Sequence, residues 1–290
     1  EHETRHLDVI GAITVTAGLM LLVYALSVGQ NMGIASTEVI ELLAISCVVI
    51  AAFLFIEYRS EAPLMPPSFL RRGSIFAANA VALLQLAGYV GMVFILTNYF
   101  QQVLGYSALL TGIAFVPISV VFLVVSGFLS ARLANSFGIR STIIAGMVLQ
   151  TIGYLLLSRI SPTENYLGGL LGPMLMVAIG TGFSFTAINI AALAGTKKGE
   201  EGLASGLINT SRQIGGPIGL AILLTVANVG VSQGSSSGHL MQSAKAVVTG
   251  FGYAFLAAAF LTGIGIIFAV SLKEKKQVQP STTPATKDQS

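Results

Sequence analysis

The chain has 290 residues, 54% of them hydrophobic and 9% charged, with a formal net charge of +3. A water-soluble domain carries about 25% charged residues, so this composition, with a mean hydropathy of +0.82, excludes an ordinary soluble globule and points to lipid as the solvent. The basic residues lie scattered between apolar runs instead of clustering on one face, which excludes a nucleic-acid surface and fits loops held at one membrane leaflet.

The sequence opens on EHETRHLDV, with neither an initiating methionine nor the basic start of a signal peptide, and reads as the continuation of a longer polypeptide. Eight apolar runs follow, at about 8–28, 38–57, 75–101, 108–132, 141–159, 166–194, 203–228 and 246–272. Each can span a hydrocarbon layer at roughly 20 residues per crossing. Lipid-exposed backbone must satisfy its own hydrogen bonds, so each run is expected to be a helix, α1 to α8 in chain order. The fold expected is therefore all-α, with about eight transmembrane helices.

The first two runs form a pair within residues 1–60. Cys47 is the sole cysteine and lies in an apolar run, so it supports neither an intrachain disulfide nor a metal cluster. His2, His6 and His239 lie outside the runs. No metal or cofactor is expected. The segment 61–74, EAPLMPPSFLRRGS, is a proline- and arginine-bearing linker, expected to carry a short interfacial helix after Pro67 with Phe69 and Leu70 toward lipid.

Residues 75–272 contain the remaining six runs, which divide into two triplets. The middle run of each has an internal proline, Pro117 and Pro217, as expected of the inverted repeats of secondary transporters. On α3, one stripe holds Gln85, Tyr89, Met92, Leu96 and Tyr99, an adaptable wall suited to bulky apolar ligands. Arg132 and Arg140 bracket the connection from α4 to α5. On α6, Met174, Thr181, Ser184 and Phe185 share a stripe with Asn189 beside it; these polar groups suit either ligand contact or interhelical hydrogen bonds.

Arg212 lies well inside α7, where an arginine costs about 2.5–3.5 kcal/mol on insertion scales. Ser205, Asn209, Gly216 and Gly219 fall within about 60° of it on a helical wheel. Two readings stay open: a wet cavity or bundle interface where it binds an anion or steers a gate, and snorkelling to the interface. Ser211, Gly215 and Gly219 recur every four residues, a spacing that admits a second helix at close range. Pro217 removes the hydrogen bond to the Gln213 carbonyl. The stretch 229–245 is expected to be a flexible external loop, and 273–290 a disordered tail.

With eight crossings, Arg5, Arg59, Arg71, Arg72, Arg132, Arg140, Lys197, Lys198, Lys273, Lys275, Lys276 and Lys287 fall on one side, and Arg159 and Lys245 on the other. The positive-inside rule then puts both ends in the cytoplasm. No Asp or Glu lies deep within α3–α8, where a proton relay would need one. Neither a phosphate-binding glycine loop nor a nucleophile–base set occurs in the runs, so an enzyme is not expected.

The string GLASGLINTSRQIGGPIGLAIL at 202–223 resembles a stretch of the fourteen-helix drug:proton antiporters of the major facilitator superfamily. PLMPPSFLRR at 63–72 resembles the segment before their last six helices, and LDVIGA at 7–12 the start of their inserted helix pair. Gly127, Arg132, Gly138 and Arg140 resemble a degenerate copy of the superfamily's cytoplasmic loop motif, with Asn135 where an aspartate is expected. The resemblance implies an inserted pair (1–60), a cytoplasmic linker (61–74), a C-terminal transport bundle (75–272) with a 3+3 inverted repeat, and a tail (273–290).

It further implies α3 and α6 along a central cavity, α4 and α7 against a second bundle, and α5 and α8 on the lipid side. Substrate contacts would come from Gln85, Tyr89, Tyr99, Thr181, Ser184, Asn189 and Arg212. Gating would involve Pro117, Arg132, Gly138, Arg140 and Pro217. The expected partners are a small-molecule substrate, the plasma-membrane bilayer and an N-terminal six-helix half that carries the coupling acids, with no nucleic acid. The expected activity is export of drug-like or amphipathic compounds by proton antiport with alternating access. The alternatives are a related transporter of a siderophore, lipid or sugar, and a non-transporting membrane module.

Overall fold

A computed structural model describes residues 9–32, 36–59, 69, 72–197, 199–234 and 240–272. Apart from Phe69, the interfacial helix expected after Pro67 lies outside these residues, as does the expected tail 273–290. The eight expected runs form as helices: α1 (Val9–Met32), α2 (Thr37–Arg59), α3 (Gly73–Asn98), α4 (Ala108–Val124), α5 (Ile139–Leu157), α6 (Leu171–Ala194), α7 (Glu201–Gly234) and α8 (Leu240–Val270). Wider turns of π type extend α3 through Tyr99–Val103, begin α6 at Tyr166–Leu170, and join α4 through Val125–Leu129 to a last segment, Ser130–Phe137. Among the described residues, six helices (α3 to α8) are long and apolar enough to cross a membrane.

Two boundaries differ from expectation. The connection from α4 to α5 is the single residue Gly138, at φ 90°, a conformation that a side chain would strain. Arg132 therefore lies within the last segment of α4 rather than at its end. In the expected loop 229–245, the described residues, 229–234 and 240–245, are helix. Gly230 of α7 packs so closely on Gly250 and Tyr253 of α8 that a methyl there would stand 2.6–2.7 Å from them, and this contact supports the extra turns.

The order of packing reflects the two triplets. The first helix of each, α3 and α6, packs on the middle helix of the other, α7 and α4 respectively. α3 also packs on α8, and α6 on α5, while α5 and α8 pack on each other. α1 and α2 form a hairpin in which Ser46 Oγ donates to the Gly18 carbonyl at 2.9 Å, and α1 leans on α7.

The seam between α3 and α7 sets the bundle's geometry. Ser211 Oγ bonds Asn79 Oδ1 at 2.8 Å. A methyl added to Gly215 would meet the Leu83 carbonyl at 2.4 Å, one on Gly219 the Ala87 backbone at 2.3 Å, and one on Gly91 the Leu223 side chain at 2.4 Å. All four pairs keep the spacing of 132 seen for Asn79 and Ser211, so the two helices run parallel in register. This is close packing by small residues, the main route to helix association where lipid is as apolar as the side chains.

The interior is layered. At the Tyr99 end, Phe100 stacks on Tyr106 at 5.6 Å and meets Phe115 and Tyr166 edge-on or tilted, above a core containing Met92, Leu96, Met174, Leu223 and Phe255. Toward the Arg72 end a second apolar cluster joins Ala78, Val81, Met147, Ile188 and Ile208. Phe69, expected toward lipid, is instead buried with Ile75 and Ala204 because the starts of α3 and α7 leave an apolar slot there. The outer surface carries Phe128, Phe260 and Ile267, as suits a hydrocarbon surround.

Gly219→Val should lower the melting temperature of the detergent-solubilised protein by several degrees, since overpacking costs about 1–3 kcal/mol. Gly112→Ala, at a position with nothing within 4 Å of the added methyl, should leave it unchanged.

Candidate functional site

The seam also fixes how α7 is turned. With Ser211, Gly215 and Gly219 against α3, the next residue, Arg212, points about 100° away, toward α6. Its side chain is 7% exposed. Nη1 donates to Asn189 Oδ1 at 3.1 Å and Nη2 to the Phe185 carbonyl at 3.0 Å. The guanidinium carbon stands 3.9 Å from the centre of the Phe185 ring, a cation–π contact. That ring meets Phe122 of α4 edge-on at 5.5 Å. The arginine thus does not snorkel. It joins α7 to α6 at the layer where α6 also touches α4. The polar face predicted around it is divided: Ser205 and Asn209 are exposed, whereas Gly216 and Gly219 are buried against α3.

Between the two apolar clusters lies a polar belt. Gln85 Nε2 donates to the Thr181 carbonyl at 3.2 Å. Gln150 Nε2 donates to Tyr154 Oη at 2.9 Å and approaches the Gln85 carbonyl at 3.5 Å. Thr151 and Thr262 share a hydrogen bond at 2.9 Å. Ser184 Oγ donates to Gly180 at 2.9 Å, at the tight contact of α6 with Gly146 of α5. Gln85, Gln150, Tyr154, Thr181 and Ser184 are all buried.

The structure therefore brings Asn189 and Arg212 together at one layer, and Gln85, Thr181 and Ser184 together in the belt. Tyr99 stands apart: its hydroxyl donates to the Ser161 carbonyl at 2.6 Å and ties α3 to the turn after α5. Tyr89 is half-buried against the core of the Tyr99 end. Pro117 and Pro217 are half-buried, Arg132 is exposed and Arg140 half-exposed. Among the described residues neither of these two arginines forms an ion pair.

The sequence reading missed Gln150 and Tyr154. They lie one helical turn apart on α5, the helix assigned to the lipid side, and they face the interior. The signal available was a glutamine inside an apolar run, which rarely faces lipid.

A second polar feature closes the Arg72 end. Arg72, just before α3, grips Glu200, just before α7, through both guanidinium nitrogens at 2.5 and 2.9 Å. Glu200 also accepts from the Lys197 amide at 2.8 Å, and Arg72 reaches the Gly195 carbonyl at 3.4 Å. The Arg72 hydrogen bonds, with the Lys197 amide second, hold the Glu200 carboxyl at about 2. The same pairing raises the Arg72 guanidinium.

These features define a polytopic helical membrane protein whose last six helices interlock as two triplets. The family model described as Major Facilitator Superfamily matches residues 9–220, and the chain belongs to that family. It is 37% identical over 259 residues to the cephamycin export protein CmcT of Amycolatopsis lactamdurans, covering 89% of this chain and 53% of that protein. It is 32% identical over 270 residues to the puromycin resistance protein pur8 of Streptomyces alboniger, covering 91% and 52% respectively. It is 34% identical over 229 residues to a probable actinorhodin transporter of Streptomyces coelicolor, covering 76% and 39%. The chain spans about half the length of the first two of these relatives.

Because the Glu200 pKa is depressed in the folded protein, its contribution to stability is full above the ordinary carboxylate range and is lost as pH falls from about 4.3 toward 2. Hydrogen exchange at residues 196–204 should thus be unchanged from pH 7 to 5, after correction for the intrinsic rate. Glu200→Gln should raise it at pH 7.

Proposed function

We propose that this chain supplies the inserted helix pair (1–60), the cytoplasmic linker (61–74) and the C-terminal six-helix bundle (75–272) of a secondary transporter. It exports drug-like or amphipathic compounds by proton antiport with alternating access. The observation that carries the reading is the meeting of α4, α6 and α7 around Arg212, Phe185 and Phe122. The two proline-bearing helices reach α6 at one layer, and each also presents an unpartnered face. That of α4 is apolar (Leu109, Ile113, Val116, Val120), and that of α7 is polar (Ser205, Asn209, Gln213).

A second six-helix bundle against those faces would complete a cavity, with Asn189 and Arg212 on its wall. Gln85, Thr181 and Ser184 would act from behind it, by holding α3, α5 and α6 together. Tyr89 and Tyr99 would serve the Tyr99 end. Rocking of the bundle would bend α4 and α7 at Pro117 and Pro217 and work the tight turn at Gly138 between Arg132 and Arg140. Relatives named for antibiotic export and resistance support an exporter of amphipathic compounds. Coupling acids would lie outside α3–α8. The protein would cross the plasma membrane eight times within these residues, with both ends cytoplasmic.

Cells carrying the protein as its gene encodes it should accumulate less of an exported antibiotic than cells without it. A protonophore added at constant ATP should abolish the difference, and efflux indifferent to it would reject antiport. Cysteines placed at Lys197 and Lys245 should react with an impermeant maleimide from opposite sides of the membrane. Labelling from one side would overturn the threading.

A further inference from the structure

Arg212 has a partner set that positions its charge without neutralising it. The side chain lies about 16 Å along α7 from Glu201 at 1.5 Å per residue, and a guanidinium stays protonated in a protein. Both of its hydrogen-bond acceptors are neutral. Its Nε is buried and has no partner. The only ion pair among the described residues is Arg72 with Glu200, and apart from Glu201 at the first residue of α7 no carboxylate lies within the membrane-crossing stretches of α3–α8 there.

The site is also oversupplied with donors. The Phe185 carbonyl accepts Arg212 Nη2 at 3.0 Å and Asn189 Nδ2 at 3.2 Å. In an α-helix it also faces the amide of residue 189. Three donors share an oxygen with two lone pairs, while Nε–H has none. What this layer lacks is acceptors and negative charge. A carboxylate supplies both: it only accepts, and its two oxygens match the guanidinium fork. Beside it, Phe122 and Phe185, both half-buried, offer a paired aromatic surface for an apolar body.

We infer that Arg212 is the docking point of a carboxylate. On its arrival the guanidinium leaves Asn189 and the Phe185 carbonyl and so loosens α7 from α6. The carboxylate is either that of an amphipathic organic acid carried as substrate or an acidic side chain of the protein outside these residues. The inference uses the transport reading only for its second assay.

The first assay is equilibrium binding to the purified full-length protein in detergent, with naphthoate, naphthamide and naphthyltrimethylammonium as probes. The second is transport of the same three compounds by inverted vesicles. The variants are Arg212→Gln and Arg212→Lys. For a substrate carboxylate, Arg212→Gln weakens naphthoate binding by about tenfold or more while leaving the other two within about twofold, and Arg212→Lys keeps part of it.

For an internal acid, Arg212→Gln impairs transport of all three compounds equally, and Arg212→Lys restores most of it. Selection for function in Arg212→Glu then yields a second-site change at one Asp or Glu. Arg212→Gln indistinguishable from wild type with every probe overturns the inference. So does equal loss in Arg212→Gln and Arg212→Lys with no such second-site change. Naphthoate binding that depends on Arg212 in a protein that exports none of the probes would sink the export reading and leave the docking point standing.

Discussion

The close parallel seam between α3 and α7 is the contact on which the rest of the bundle depends. Without side chains at Gly215 and Gly219, the backbones approach to distances that no larger residue permits. Because the register repeats every four residues, α7 has a single allowed rotation. That rotation sends Arg212 toward α6 and leaves Ser205, Asn209 and Gln213 facing outward. In hydrocarbon no solvent-driven burial selects among rotations, so packing of small residues takes over that role.

The polar groups of the interior follow from the same condition. An amide or hydroxyl inside a bilayer is stabilised by a partner, and here Gln85, Gln150, Tyr154, Thr181 and Ser184 each find one in a backbone carbonyl or in one another, although the buried Gln150 Oε1 has none. They form a cross-link between α3, α5 and α6 at mid-height, with apolar clusters above and below. The Arg212 layer is different in kind. Its charge cannot be removed, and the neighbours only hold it in place. An arrangement that is satisfied in position but not in charge is suited to change partners, whereas the belt is suited to stay closed.

Much of the fold was legible in the sequence because lipid imposes a strict code on length. All eight helices formed where apolar runs were long enough, and their ends moved by only a few residues at most boundaries. The exceptions have local causes. α7 continues past its apolar run to Gly234 because Gly230 meets Gly250, and α4 continues to Phe137 because only Gly138 breaks the helix. Ser211, Gly215 and Gly219 announced a close neighbour correctly, but not which helix it would be.

The sequence by itself determined the solvent, the number of apolar helices, the two prolines at matching places and the presence of one deep arginine. Only the tertiary structure decided that the stripe of Gln85, Met92, Leu96 and Tyr99 faces a packed interior, that Gln150 and Tyr154 turn inward from α5, and that Phe69 is buried rather than lipid-facing. The reason is that a membrane helix is apolar on every side. In water the polarity difference around a helix marks its inner face; in lipid that mark is missing, and which side touches which neighbour is settled by shape.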